Sequence, residues 1–214
     1  MRPSRPLVGL VAASVTLGCM LAAAVVVWRL TAGLSAFTSE SWRRAAVAAA
    51  PRPVPAITLQ DESGRLLRLD TLCGHVMVLD FVYTRCPTVC KALGASSSQL
   101  AQRLSRIDGL QDVVVMSVSL DPQRDPPERL QAFKRAMEAA ISPWRLARPV
   151  DLEGRRRLLD AFGVVAIPDG MGGYDHNAAL HIVDQRCRLV RILDADNVRG
   201  AELEARRLAA QRGA

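Results

Sequence analysis

Residues Val76–Val82 form a short, largely apolar run that breaks into Tyr83-Thr84-Arg85 and then two cysteines, Cys86 and Cys90. A run of this length, bounded by a polar turn, reads as a buried strand. A helix starting near Cys86 would aim its first-turn amides and its dipole at that sulfur and favour a thiolate. Spacing of i and i+4 puts both sulfurs on one helix face, one turn apart. Two soft donors on one rigid turn suit either a monovalent copper ion or a redox couple. The stretch alone leaves both open.

The surrounding pattern limits the fold. Ile57–Gln60 and Arg65–Leu69 flank an Asp61-Glu62-Ser63-Gly64 turn and predict a hairpin. After the cysteine strand, a helix is expected from about Pro87 to Ile107, then a buried strand over Val113–Leu120 ending in Asp121-Pro122. Pro126-Pro127-Glu128 opens a helix to about Glu138, and Trp144–Ala147 reads as a short strand. Asp151 caps a helix to Phe162. A glycine-rich loop, Asp169–Gly173, precedes His176, strand Ala178–Val183, a turn through Cys187, strand Leu189–Leu193 and a last helix from Asn197 to about Gln211. Alternation of strands and helices argues a mostly parallel α/β sheet. A thiol pair at the strand-to-helix turn, with a closing hairpin and helix, is the thioredoxin arrangement. The expected fold is thioredoxin-like with an added N-terminal β-hairpin.

That fold gives one histidine a role. Among His75, His176 and His181, a lone histidine is more often a surface or core residue than a ligand. In a thioredoxin-like sheet, however, the strand after His176 runs antiparallel beside the cysteine strand. His176 therefore begins at the edge where Cys86 and Cys90 sit, on a loop that three glycines keep mobile. Two thiolates and an imidazole match Cu(I), and Cu(II) with an extra ligand. His181 falls deep in the strand and His75 at the far edge.

Leu7–Trp28 is a run of 22 residues without a charge, long enough as a helix, at roughly 33 Å, to cross a bilayer. Signal peptides carry a shorter apolar core of about 7–15 residues and a small-residue cleavage site. Here the run ends in Val25-Val26-Val27-Trp28-Arg29 and continues nine residues past Cys19, which argues an uncleaved anchor. The expected layout is a tail over 1–6, an anchor over 7–28, a tether over 29–55 and the thioredoxin-like domain over 56–214. The short tail favours a C-terminal domain outside the cytoplasm. The net charge of +7 comes almost wholly from arginine, Lys91 and Lys134 being the only lysines. Those arginines alternate with acids, as in Glu202-Leu203-Glu204-Ala205-Arg206-Arg207, with no basic stripe and no nucleic-acid motif.

Three motifs now carry a resemblance. Asp80-Phe81-Val82-Tyr83-Thr84-Arg85-Cys86-Pro87-Thr88-Val89-Cys90 resembles the signature of the Sco/SenC copper-chaperone family. Ser117–Asp125 resembles its second motif, and Asp175–Asp184 its third, in the family's order. The likeness covers about Pro55 to the C-terminus. It implies copper held by Cys86, Cys90 and His176, with Asp121 just behind them. It implies delivery of copper to, or reduction of the thiols of, the CuA site of cytochrome c oxidase subunit II, with copper received from a donor protein. With the anchor, it implies the inner membrane of a bacterium, a single pass, and a periplasmic domain. Thr88 and Lys91 depart from the acidic residue and the proline that many members carry there.

Cys73 precedes the cysteine strand, and Cys187 lies in the turn that ends its antiparallel neighbour. Both belong at the sheet edge opposite the copper site. They read either as two unrelated thiols or, in an oxidising compartment, as a disulfide. Two other functions compete with a copper-binding assembly factor. One is a membrane-tethered thiol–disulfide oxidoreductase using Cys86 and Cys90 without metal, which leaves His176 without a role. The other is a peroxidase-like variant with Cys86 as the attacking thiolate, which needs no Cys90.

Overall fold

The computed structural model describes residues 5–31, 33, 38–86, 89–137 and 143–211. The chain divides into two units, Met1–Ala46 and Val47–Ala214. The first contains helix α1 (Arg5–Leu30), of which Gly9–Leu30, with a mean hydropathy of 2.4, is long and apolar enough to cross a membrane. Its large apolar side chains, among them Leu10, Met20 and Trp28, are exposed.

Helix α2 (Ser39–Ala49) lies within the stretch expected to be a tether. Its first turn is closed reciprocally: Thr38 Oγ1 accepts from the Ser41 amide at 3.1 Å, and Ser41 Oγ accepts from the Thr38 amide at 3.0 Å. This is the logic of a capping box, here with serine in place of the acid. The helix ends before Pro51, and Val47 on it is fully buried. Residues 29–55 thus contain a capped helix and a strand, β1 (Arg52–Pro53).

In the second unit, β2 (Thr58–Asp61) and β3 (Leu66–Arg68) form the expected N-terminal hairpin. Asp61 Oδ1 closes its turn by accepting from the Ser63 and Arg65 amides, both at 2.9 Å. Next come β4 (Met77–Val82), α3 (Val89–Ser105), β5 (Val114–Ser119), α4 (Pro127–Ala136), β6 (Arg145–Pro149) and α5 (Leu152–Phe162). Then follow β7 (Ala166–Pro168), β8 (Tyr174–His176), β9 (Ala179–Val183), β10 (Arg188–Asp194) and α6 (Val198–Ala210). Asp151 and Asn197 cap α5 and α6, accepting from the Gly154 amide at 2.6 Å and the Gly200 amide at 2.9 Å. The expected ends of two helices, at Pro87 and Glu138, the position of Thr88 and residues 1–4 of the expected tail lie outside the described residues, while Arg5 and Pro6 already belong to α1.

Eight strands form one sheet in the order β1-β10-β9-β4-β5-β6-β2-β3. Every residue of β4 is buried, which is why it reads as a continuous apolar run rather than an alternation. β4 and β5 are parallel and in register from Met77↔Val114 to Val82↔Ser119, so both deliver their ends to one edge of the sheet. β9 runs antiparallel to β4, pairing Leu79 with His181 and Met77 with Val183. The residues just before β9 therefore return to that same edge. The fold is mixed α/β and thioredoxin-like.

At the opposite edge, Cys73 and Cys187 are joined by a disulfide, their Cα atoms 5.2 Å apart. Beside it the Gly74 amide donates to the Gln185 carbonyl at 2.8 Å.

Two buried polar groups are Asp80 on β4 and the indole of Trp144, just before β6. Asp80 on β4 is 1 % exposed and accepts from Ser97 Oγ on α3, and burial pushes its pKa up to about 7. Trp144 is fully buried and donates through Nε1 to Ser117 Oγ at 2.9 Å. Satisfying an indole N–H in this way avoids a desolvation cost of about 1–3 kcal/mol.

Candidate functional site

The site edge is built from the ends of β4 and β5 and from the segment before β9. A turn closes beyond β4, the Cys86 amide donating to the Tyr83 carbonyl at 3.2 Å. Cys90 lies in the first turn of α3, and its amide donates to Cys86 Sγ at 3.3 Å. A helix-start amide does therefore point at the first sulfur, as the spacing suggested. Both cysteines are buried thiols. Burial, reinforced by Cys86 and Asp80 and opposed by a hydrogen bond from the Tyr83 backbone, drives the Cys90 pKa far above the ordinary thiol range. The two sulfurs are thus unequal: Cys86 receives an amide donor, whereas Cys90 holds its proton.

His176 arrives on an element that the sequence did not reveal. β7 and β8 pair antiparallel, Ala166 with His176 and Pro168 with Tyr174, and form a small second sheet around Asp169–Gly173. The glycine-rich stretch, expected to be mobile, is the turn of this hairpin. Asp169 Oδ1 accepts from the Met171 and Gly173 amides, both at 2.8 Å. Asn177 fastens the hairpin base, accepting from the Val165 amide at 2.8 Å and donating to the Gly163 carbonyl at 3.1 Å. His176 is half-buried, and both its ring nitrogens are buried without a hydrogen-bond partner. Burial pulls its pKa below the usual histidine value, against the opposing pull of Asp175. The imidazole is therefore neutral near pH 7, the form in which it can bind a metal.

Tyr83 links the two halves and was missed in the sequence reading, where it was only one letter of a motif. Its ring packs edge-on against Tyr174 and His176, with centroids 5.7 and 6.4 Å away. Its hydroxyl donates to the Tyr174 carbonyl at 3.3 Å. Burial raises its pKa, and the adjacent Cys86 and Cys90 add to the rise. The hairpin comes so close that a Cβ on Gly173 would lie 2.8 Å from the Tyr83 hydroxyl and 2.5 Å from Asp169 Oδ2. Gly173→Ala should therefore cost on the order of 1–3 kcal/mol, read as a lowered midpoint in urea. An unchanged midpoint would show that the hairpin is free to lift.

Asp121 lies just beyond the end of β5. It is buried and accepts from Arg85 Nη2 at 3.0 Å, with Arg124 Nη1 at 3.5 Å. The guanidinium of Arg85, the residue directly before Cys86, is paired with this carboxylate. Asp125, fully buried, secures the same corner by accepting from the Thr84 amide and hydroxyl and from Ser119 Oγ. His181 is core, as expected: its ring packs against Phe81 and Phe162, and Nδ1 lies 3.3 Å from the Leu79 carbonyl. Lys91 is exposed.

Two thiols and a neutral imidazole whose nitrogens have no protein partner are a donor set that fits a soft, low-coordinate cation such as Cu(I). Among the described residues, no three His, Cys, Asp or Glu side chains stand close enough to hold one ion. The donors share one corner of the fold without being drawn together.

Comparison with known proteins agrees with this architecture. The SCO1/SenC family model matches residues 48–209. The SCO1 protein homolog of Bacillus subtilis is 28% identical over 132 residues, 61% of this chain and 67% of that protein. Copper-bound ScoI of Bradyrhizobium japonicum superposes with a TM-score of 0.62 at 21% identity, over 73% of this chain and 99% of that one. BsSco, described as a member of the Sco family of cytochrome c oxidase assembly proteins with a disulfide switch, superposes with a TM-score of 0.65 at 20% identity, over 75% and 95%. With the family model matching most of its length and the motifs falling on one sheet edge, the chain belongs to the SCO1/SenC family.

Proposed function

We propose that the protein is a copper-binding assembly factor that holds copper through Cys86, Cys90 and His176. In this reading it delivers that copper to the CuA site of cytochrome c oxidase subunit II, after receiving it from a donor protein. The observation that carries it is His176: a neutral imidazole, both nitrogens buried and unpartnered, on a hairpin packed against the ring that borders the two thiols. A purely thiol-based function would leave this imidazole unexplained. The copper-bound and oxidase-assembly relatives support the same reading. The apolar helix would anchor the chain in the inner membrane, with residues 29–55 as the connection and the sulfur site on the periplasmic side.

The protein's own groups prepare the site. The Cys90 amide donates to Cys86 Sγ, so this sulfur already faces a backbone donor of the helix start. Cys90 holds its proton until a cation replaces it, which makes binding release a proton from this residue.

The test is a competition titration of the full chain in detergent, with Cu(I) partitioned against a chromophoric Cu(I) chelator. His176→Ala should weaken binding at least about tenfold. Cys86→Ser with Cys90→Ser should abolish competition. Equal affinity in the parent and the double serine variant would end the copper reading. A second reading, thiol–disulfide exchange at subunit II by the same cysteines, rests on their inequality: Cys86 is the better nucleophile and Cys90 the resolving thiol.

A further inference from the structure

The hairpin that bears His176 is held at its tip as well as at its base. Arg85 Nη2 donates both to the Gly172 carbonyl and, at 3.0 Å, to Asp121 Oδ2. Arg124 Nη1 donates to the same carbonyl at 3.3 Å and faces the same carboxylate oxygen at 3.5 Å. One backbone oxygen of the turn is thus gripped by two guanidinium groups, and both are fixed by one buried acid whose side chain is 5 % exposed. The turn is shaped to offer that oxygen. Gly170 and Gly172 adopt φ of 75° and 88°, and Asp169 ties down the amides on either side of Gly172. Arg85 is also the residue directly before Cys86, so the grip joins the sulfur turn to the imidazole hairpin.

We propose that Arg85 is a positioning residue for the metal site: through the Gly172 carbonyl and Asp121 it keeps the β7–β8 hairpin seated over the cysteine turn. His176 then has little conformational freedom left to lose when it ligates. This rests on the copper reading above. The physical case is preorganisation. A glycine-rich turn released at its tip would have to be ordered again each time a metal binds, and that ordering cost subtracts from affinity. Asp121, which the motif resemblance put just behind the ligands, acts through Arg85.

The sign of the effect separates positioning from charge. A cation beside a metal site opposes metal binding, so electrostatics alone would make an uncharged substitute bind copper more tightly. Positioning requires the reverse. In the full chain in detergent, Arg85→Met keeps the apolar stem but removes the donors, and it should weaken Cu(I) binding about tenfold in the chelator competition. Arg85→Lys keeps a cationic group with three donors and should recover most of that loss. Because the loss is routed through the imidazole, adding His176→Ala to Arg85→Met should cost far less than His176→Ala costs the parent. In the metal-free protein, amide hydrogen exchange at Met171 and Gly173 should accelerate in Arg85→Met and stay near the parent rate in Arg85→Lys.

Unchanged or tighter binding in Arg85→Met, or unchanged exchange at those two amides, would overturn the proposal. So would a His176→Ala loss of the same size in both backgrounds. If His176→Ala leaves parent binding untouched, the ligand set itself is wrong and the role of Arg85 falls with it.

Discussion

Replacing both Cys73 and Cys187 by serine should lower the stability of the folded unit by about 5 kcal/mol. The disulfide closes a sequence separation of 114 residues. In the chain-entropy account, a crosslink over a loop that long removes about 5 kcal/mol of freedom from the unfolded chain. For a domain of ordinary stability, about 5–15 kcal/mol, that is a third or more of the total. Urea unfolding of the full chain in detergent reads it directly, comparing the oxidised parent with the double serine variant. Copper competition should be unaffected in the variant under native conditions, because the pair lies at the sheet edge opposite Cys86. A midpoint within about 1 kcal/mol of the parent would mean that the unfolded chain is already compact around this link.

The second large effect depends on pH and comes from Asp80. Its carboxyl titrates near 3.8 in the unfolded chain and at about 7 in the fold, where burial disfavours the charge. Between those values the native state holds a proton that the unfolded chain has released, so stability contributed by this group falls as pH rises from about 4 to about 7. Below the unfolded value and above the folded value the contribution is flat. A shift of about three units corresponds to on the order of 4 kcal/mol across the window. Asp80→Asn removes the titration while keeping the shape. The difference in unfolding free energy between variant and parent should therefore move in favour of asparagine from pH 4 to pH 7.5, then stop changing. Parallel curves would show that Asp80 stays charged inside the fold.

Much of the architecture was legible because it rests on burial and on caps. β4 is buried along its whole length and reads as an uninterrupted strand; Asp151 and Asn197 announce their helices; the Asp61–Gly64 turn announces a hairpin. The place of His176 followed from topology alone, since a strand antiparallel to β4 must begin where β4 ends. What could not be read has equally physical causes. β7 and β8 are three residues each, and Val165, Ile167 and Met171 around them are exposed, so no apolar period marks them. β1 is two residues long and contains a proline. The start of α2 is set by a reciprocal Thr38–Ser41 cap, which an alanine count does not register. The partners of Arg85 and Tyr83 are a carbonyl on Gly172 and one on Tyr174, and a backbone oxygen carries no sequence signature.

The placement of the four domain cysteines also bears on how the chain matures. Four cysteines can pair in three ways, and the finished sheet permits one crosslink between its ends. Cys73 and Cys86 bracket β4, whose six residues span about 20 Å, whereas a disulfide needs Cα atoms within about 7 Å. In an unfolded chain the preference is reversed, because Cys73 is 13 positions from Cys86 (86 − 73) and 114 from Cys187. Loop closure in the unfolded chain favours Cys86–Cys90 still more, only 4 positions apart (90 − 86), so oxidation before the sheet forms uses up that pair or the Cys73–Cys86 loop first. Oxidation after β9 has paired with β4 yields the correct link and leaves the Cys86 and Cys90 thiols unspent. The order of folding and oxidation thus decides whether the Cys86 and Cys90 thiols emerge free.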